Sequence, residues 1–109
     1  MTEMTLVNLT PHAINMIVDG DVKETIVSSG LARCSVMSNV VGQINGYNVC
    51  ENTYGEVVGL PQPQEGTIYI VSALVAQAVK GLRTDVVVVD KTVRNESGQI
   101  IGCTGFARI

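Results

Sequence analysis

The chain has no tryptophan, one phenylalanine and three tyrosines, so any core must be built from aliphatic side chains. It has a single histidine, and its three cysteines (Cys34, Cys50 and Cys103) are widely separated with no C-x-x-C spacing. One histidine with scattered cysteines cannot complete a common zinc set, so no metal is expected. The cysteines read instead as small buried thiols kept reduced, which implies a cytoplasmic location. Basic residues are few: seven Lys and Arg are spread along a chain of net charge −3. That excludes the basic stripe needed to coat long DNA or RNA, although two or three arginines suffice for a single nucleotide. No segment approaches the roughly 18 apolar residues of a membrane span. No basic start followed by a long apolar run opens the chain, so no signal peptide is expected. There is no Walker loop, G-x-G-x-x-G, nucleophile elbow or H-E-x-x-H, and no cofactor is implied.

What is present is an aliphatic chain of 109 residues, 46% hydrophobic, which fits one domain over 1–109 with a real core. Turn signals divide it. Asp19-Gly20 lies between Ile14–Val18 and Val22–Val27, and Asn45-Gly46 lies between Val40–Ile44 and Tyr47–Cys50. Both pairs favour two-residue hairpins. Leu31–Val36 reads as a short strand, and Tyr54–Leu60 extends the sheet up to the break at Pro61-Gln-Pro63. Asn95-Glu-Ser-Gly98 predicts a third turn.

Thr67–Val71 and Asp85–Asp90 are apolar without alternation, which predicts strands covered on both faces. Between them Ser72 is a good N-cap for a helix over Ala73–Lys80, with Gly81 at its C′ position. Leu74, Val75 and Ala78 would form its buried face. The resulting expectation is an α+β fold: a mixed, mostly antiparallel sheet of about six to eight strands with one main helix in a βαβ unit.

The most distinctive segment is Asn8-Leu9-Thr10-Pro11-His12. Pro11 breaks the chain between two apolar runs and puts a polar cluster at a strand end. Histidine is the side chain that titrates nearest neutral pH, so His12 suits general acid or base work, or else is a hydrogen-bonded loop residue. Ser72 offers a hydroxyl and free N–H groups to a phosphate, or is a plain cap. Arg33, set in an apolar segment, is either an anion ligand or half of a structural ion pair. Arg83 either binds phosphate or stabilises a helix C-terminus. Asp19 and Asp21 belong to their turn rather than to a metal site.

Leu-Val-Asn8-Leu-Thr10-Pro11-His12-Ala-Ile14, Ser29-Gly30-Leu-Ala-Arg33, Gly66-Thr-Ile-Tyr-Ile-Val-Ser72-Ala-Leu-Val-Ala76 and Arg83-Thr-Asp85 resemble a family of small phage and bacterial proteins. Its members carry an N-L-T-P-H-[DA]-I start and a Y-I-V-S-x-L-V-A segment, and the resemblance covers nearly the whole chain. Members often have proline where this chain has Val27 or Ser28. The start is also similar to that of viral anti-CRISPR ring nucleases, small α+β dimers that cleave cyclic oligoadenylate without a metal. Their catalytic histidine lies on a motif this chain lacks, so only the Asn8 and Thr10 region carries over, as part of a nucleotide pocket.

The resemblance implies a phage counter-defence protein, cytoplasmic in a bacterium or infected cell, acting on a cyclic nucleotide immune signal such as a cyclic dinucleotide. Arg33, Arg83 and the amides at Ser72 would hold phosphates, with Asn8 in the pocket. In a metal-independent phosphodiesterase the ligand's own 2′-OH would attack phosphorus and His12 would protonate the leaving 5′ oxygen, placed by Thr10 and Asn8. The alternatives are a non-catalytic sponge for a cyclic nucleotide or ADP-ribose-derived signal, and a structural or protein-binding phage accessory. A two-fold ligand implies a homo-oligomer, with a dimer favoured.

Overall fold

The computed structural model describes residues 4–109. Among them are eight strands and one short helix: β1 (Thr5–Asn8), β2 (Ile14–Val18), β3 (Asp21–Ile26), β4 (Arg33–Ile44), β5 (Tyr47–Val58), β6 (Thr67–Ile70), α1 (Ala73–Ala78), β7 (Val86–Arg94) and β8 (Ile100–Ala107). The α+β expectation is therefore wrong. The chain is almost all β, with a nearly closed, barrel-like sheet. The predicted main helix shrinks to six residues because Val79 already leaves helical geometry, at φ −106° and ψ 8°. A segment of that length makes a crossover between parallel β6 and β7, not a layer of the fold. Its buried face also differs from expectation. Val75, Ala76 and Val79 point inward, whereas Leu74 is exposed.

Six strands form one sheet in the order β1-β6-β7-β8-β2-β3. Its two ends come back together at Asn8, which bridges Ser28 just beyond β3. The Ser29 N–H donates to the Asn8 carbonyl at 2.8 Å. Close approach on the opposite side depends on Gly102 of β8, where an added Cβ would lie 2.5 Å from the Asn15 carbonyl of β2.

The lack of alternation in β6 and β7 follows from their place in this barrel. Ile70 and Val87 face an interior cluster with Ile14, Ile26 and Cys103. Tyr69, Val71 and Val86 face the other way, into a second cluster capped by Val75, Ala76 and Val79 of α1. Both faces are covered over Tyr69–Val71 and Val86–Val88, so polar positions there would cost stability on either side, whereas Val89 and Asp90 of β7 are exposed and the expectation fails. A half-buried tie locks this second cluster. The Arg83 guanidinium forks onto Asp85 with two contacts of 2.8 Å and donates to the Pro61 carbonyl at 2.9 Å. It also lies 6.0 Å from the centre of the Tyr69 ring.

Both hairpins have the turn geometry their residues favour. Asp19-Gly20 and Asn45-Gly46 are left-handed at both positions, at φ 53° and 83°, and 51° and 83°. Paired positive φ values match the right-handed twist of the flanking strands, and Asp, Asn and Gly tolerate them best. The second hairpin is longer than its sequence suggests. The separate short strands expected between Leu31 and Leu60 merge into two antiparallel strands of twelve residues each, β4 and β5. These form a sheet of their own, apart from the barrel.

Candidate functional site

Asn8 is fully buried and spends all its hydrogen-bonding capacity on the backbone and one neighbour. Its Nδ2 donates to the carbonyls of His12 at 2.8 Å and Ile26 at 2.9 Å. Its Oδ1 accepts from the Thr10 N–H at 2.9 Å and from the Thr10 hydroxyl at 2.6 Å. Two donated and two accepted bonds exhaust a carboxamide. Asn8 therefore fastens β1, the Thr10–His12 loop and the end of β3 to one another. The Thr10 hydroxyl lies 3.0 Å from the His12 carbonyl. Ser28 donates its hydroxyl to the Thr10 carbonyl at 2.7 Å. This adds a second tie to the same loop.

This network fixes the His12 backbone and leaves its ring outside. His12 is exposed, and among the described residues its imidazole has no hydrogen-bond partner. It stands where two hollows meet. One, of about 370 Å³, is lined by Ala13, Ile14, Asn15, Thr92, Ile101 and Cys103 together with Val89 and Ile100. The other, also about 370 Å³, runs past Thr10, Val71, Ser72 and Ala73. His12, Ile14, Val89 and Ile100 line both, so the two adjoin along these residues as one groove. Among the described residues, no Lys, Arg, Asp or Glu lines it. Burial pushes the Cys103 thiol in its wall above the usual range, which keeps it neutral and unreactive.

The other expected ligand residues lie elsewhere. The Ser72 hydroxyl accepts the Val75 N–H at 3.3 Å and so caps its own short helix, although the residue does reach the groove edge. Arg33 is exposed at the start of β4 and, among the described residues, pairs with no acid. Arg83 lines a separate hollow of about 210 Å³ with Lys80 and Arg108. Its guanidinium is committed to Asp85. The hydrogen bonds from Arg83 hold the Asp85 carboxyl below its ordinary range. The structure thus gathers His12, Thr10 and Ser72 around one groove, buries Asn8 behind it and leaves both arginines outside.

Of the three cysteines, only Cys103 is buried. Cys34 is half-buried, and Cys50 is exposed on β5. The groove wall from β7 and β8 carries no motif. Its one sequence signal is Val89, Ile100 and Ile101, three large apolar side chains left exposed on adjacent strands. Among the described residues, no helix is long and apolar enough to cross a membrane. In comparisons with known proteins, no family model, no curated protein and no solved structure matches this chain.

Proposed function

We propose that the protein is a phage counter-defence protein that binds a nucleotide immune signal, such as a cyclic dinucleotide, in the groove at His12 and sequesters it. The phage assignment rests on the N-L-T-P-H-[DA]-I resemblance. The binding mode rests on one observation: an exposed, unpartnered imidazole set between two aliphatic hollows without charge. A nucleobase has flat apolar faces and a polar edge. The walls from Ile14, Val89 and Ile100 suit the faces and Thr92 suits the edge, while the Thr10 hydroxyl is held by Asn8 and the Asn15 carboxamide by Ile101 and Thr25. The volume falls within the roughly 300–1,000 Å³ of small-ligand sites. The ring of His12 would stack on a base or donate to it. With no cation in the lining, the phosphates would face outward.

Sequestration has more support than cleavage. Asn8 and Thr10 grip the carbonyl of His12 rather than its ring, so neither orients the imidazole as a proton donor. The long exposed hairpin of β4 and β5 favours the accessory reading.

Incubation with a panel of cyclic nucleotides and ADP-ribose-derived signals in EDTA, with chromatography before and after heat denaturation, tests this. The expected result is a compound that disappears from the free pool and returns intact on heating. Stacking of one base contributes about 1–3 kcal/mol, so His12→Ala should weaken retention roughly 5- to 150-fold. A new product would make the protein a metal-independent phosphodiesterase. A panel that stays free and unchanged would move the accessory reading ahead.

A further inference from the structure

The ribbon of β4 and β5 is the feature the ligand groove does not use. Twelve residues per strand make an arm about 40 Å long. Its base packs on the body, where Cys34 and Val57 lie against the helix-side cluster. A two-stranded ribbon is marginal in water by itself, and each of its strands offers an unpaired edge. Natural proteins protect such edges with lysine, other charges or proline. This arm has almost none of these, for between Ser35 and Tyr54 the one charged residue is Glu51.

What it carries instead is apolar surface. Met37 and Ile44 are each 64% exposed and Tyr47 is 76% exposed, joined by Val36, Val40 and Tyr54. The register places these groups on both sides of the ribbon. Val36 opposes Tyr54 and Val40 opposes Cys50 on one side, whereas Ile44 opposes Tyr47 and Met37 opposes Thr53 on the other. Because these side chains are divided between the two sides of the ribbon, a partner covers all of them only by embracing the arm from both sides.

We propose that this arm is an assembly element, buried against a second copy of the same chain. The chemistry of the arm selects that occupant. Nucleic acid would need cations, and the single charge here is an acid. A bilayer would leave Ser38, Asn39, Asn48 and Asn52, distributed over both sides, without partners. A second copy offers matching aliphatic, amide and hydroxyl groups with Glu51 the one charge to keep at the rim, and a two-fold contact is self-complementary. Bulging at Val41 interrupts the β4 edge, whereas β5 runs in regular register from Tyr47 to Tyr54. The β5 edge is therefore the one open to added pairing. The inference does not depend on the ligand groove.

The test is the mass of the full-length protein in solution by light scattering, for the parent and for Met37→Glu with Ile44→Glu. The parent should have at least twice the 11.6 kDa of one chain, and the double variant should fall to a single chain. Its barrel should still unfold cooperatively on heating, because these side chains are solvent-exposed in the isolated chain and belong to neither core cluster. A variant replacing residues 36–54 by a short Asn-Gly turn should also be monomeric and folded. As a second readout, Cys50 should react slowly with maleimide in the parent and rapidly in the monomeric variants. A monomeric parent would overturn the proposal, and a monomer that cosediments with phospholipid vesicles would replace it with a membrane contact. An oligomer that survives both variants would also overturn it.

Discussion

Replacing Asn8 tests the physical core of this account, because the side chain joins three parts of the barrel and no part of it is exposed. Asn8→Ala leaves the Ile26 carbonyl without its side-chain donor, and likewise the His12 carbonyl and the Thr10 N–H. An orphaned buried group costs about 1–3 kcal/mol. Water can reach the exposed His12 end, so the sum is nearer the low end, about 3 kcal/mol. For a domain of this size that is a fall in melting temperature of about 12–20 °C.

Asn8→Asp keeps the shape and should be worse. It would set a carboxylate oxygen against the two carbonyls that now accept from Nδ2 at 2.8 and 2.9 Å. Thermal unfolding by circular dichroism at neutral pH measures both variants. If either melts within about 2 °C of the parent, the barrel does not depend on Asn8 for its closure and the reasoning fails. Ligand retention by whatever folded fraction remains should be unchanged, since Asn8 lies behind the groove rather than in it.

Three further outcomes follow from the same structure. The Asp85 carboxyl has its folded pKa lowered by Arg83, so it adds stability above the ordinary carboxylate range that is lost as pH falls through the folded value. Melting temperature should therefore drop on acidification below about pH 4, and Asp85→Asn should lose about 1–2 kcal/mol at neutral pH and flatten that drop. Gly102→Ala would push a Cβ to 2.5 Å from the Asn15 carbonyl, and urea titration should show a loss of about 1–3 kcal/mol. Arg33→Ala should leave nucleotide retention unchanged in the heat-release assay, because Arg33 does not line the groove.

Local features of this fold are legible in the sequence where chemistry is short-range. Asp19-Gly20 and Asn45-Gly46 dictate tight turns through their tolerance of positive φ, and both turns form. The Asn95 side chain builds the third turn by accepting from the N–H groups of Ser97 and Gln99. The unbroken apolar character of β6 and of the start of β7, up to Val88, reports burial on two faces. Fold class is not legible in this way. A serine cap and a following glycine predict where a helix starts and stops, but the helix ends early, and Lys80 and Leu82 donate instead to Gln77 and Val79 in turns. The ribbon is hidden for a related reason. Ser38-Asn39 and Asn52-Thr53 look like loop residues, yet a ribbon exposed on both sides places no hydrophobic demand on them. The polar half of the site is visible at Asn8-Leu-Thr10-Pro-His12. Its apolar wall comes from β7 and β8, some 80 residues further on, and only the closing of the barrel brings it near. Arg83 has its partner two residues away at Asp85, and that spacing was the available sign that it ties the fold together.

The central claim is that the groove at His12 is where a nucleotide sits. Amide chemical-shift mapping of isotope-labelled protein titrated with a cyclic dinucleotide tests it most directly. Saturable shifts grouped at His12, Ile14, Thr92, Ile100 and Ile101, and their loss in His12→Ala, are the expected result. Shifts centred on Lys80, Arg83 and Arg108, or no saturable shifts at all, would contradict it.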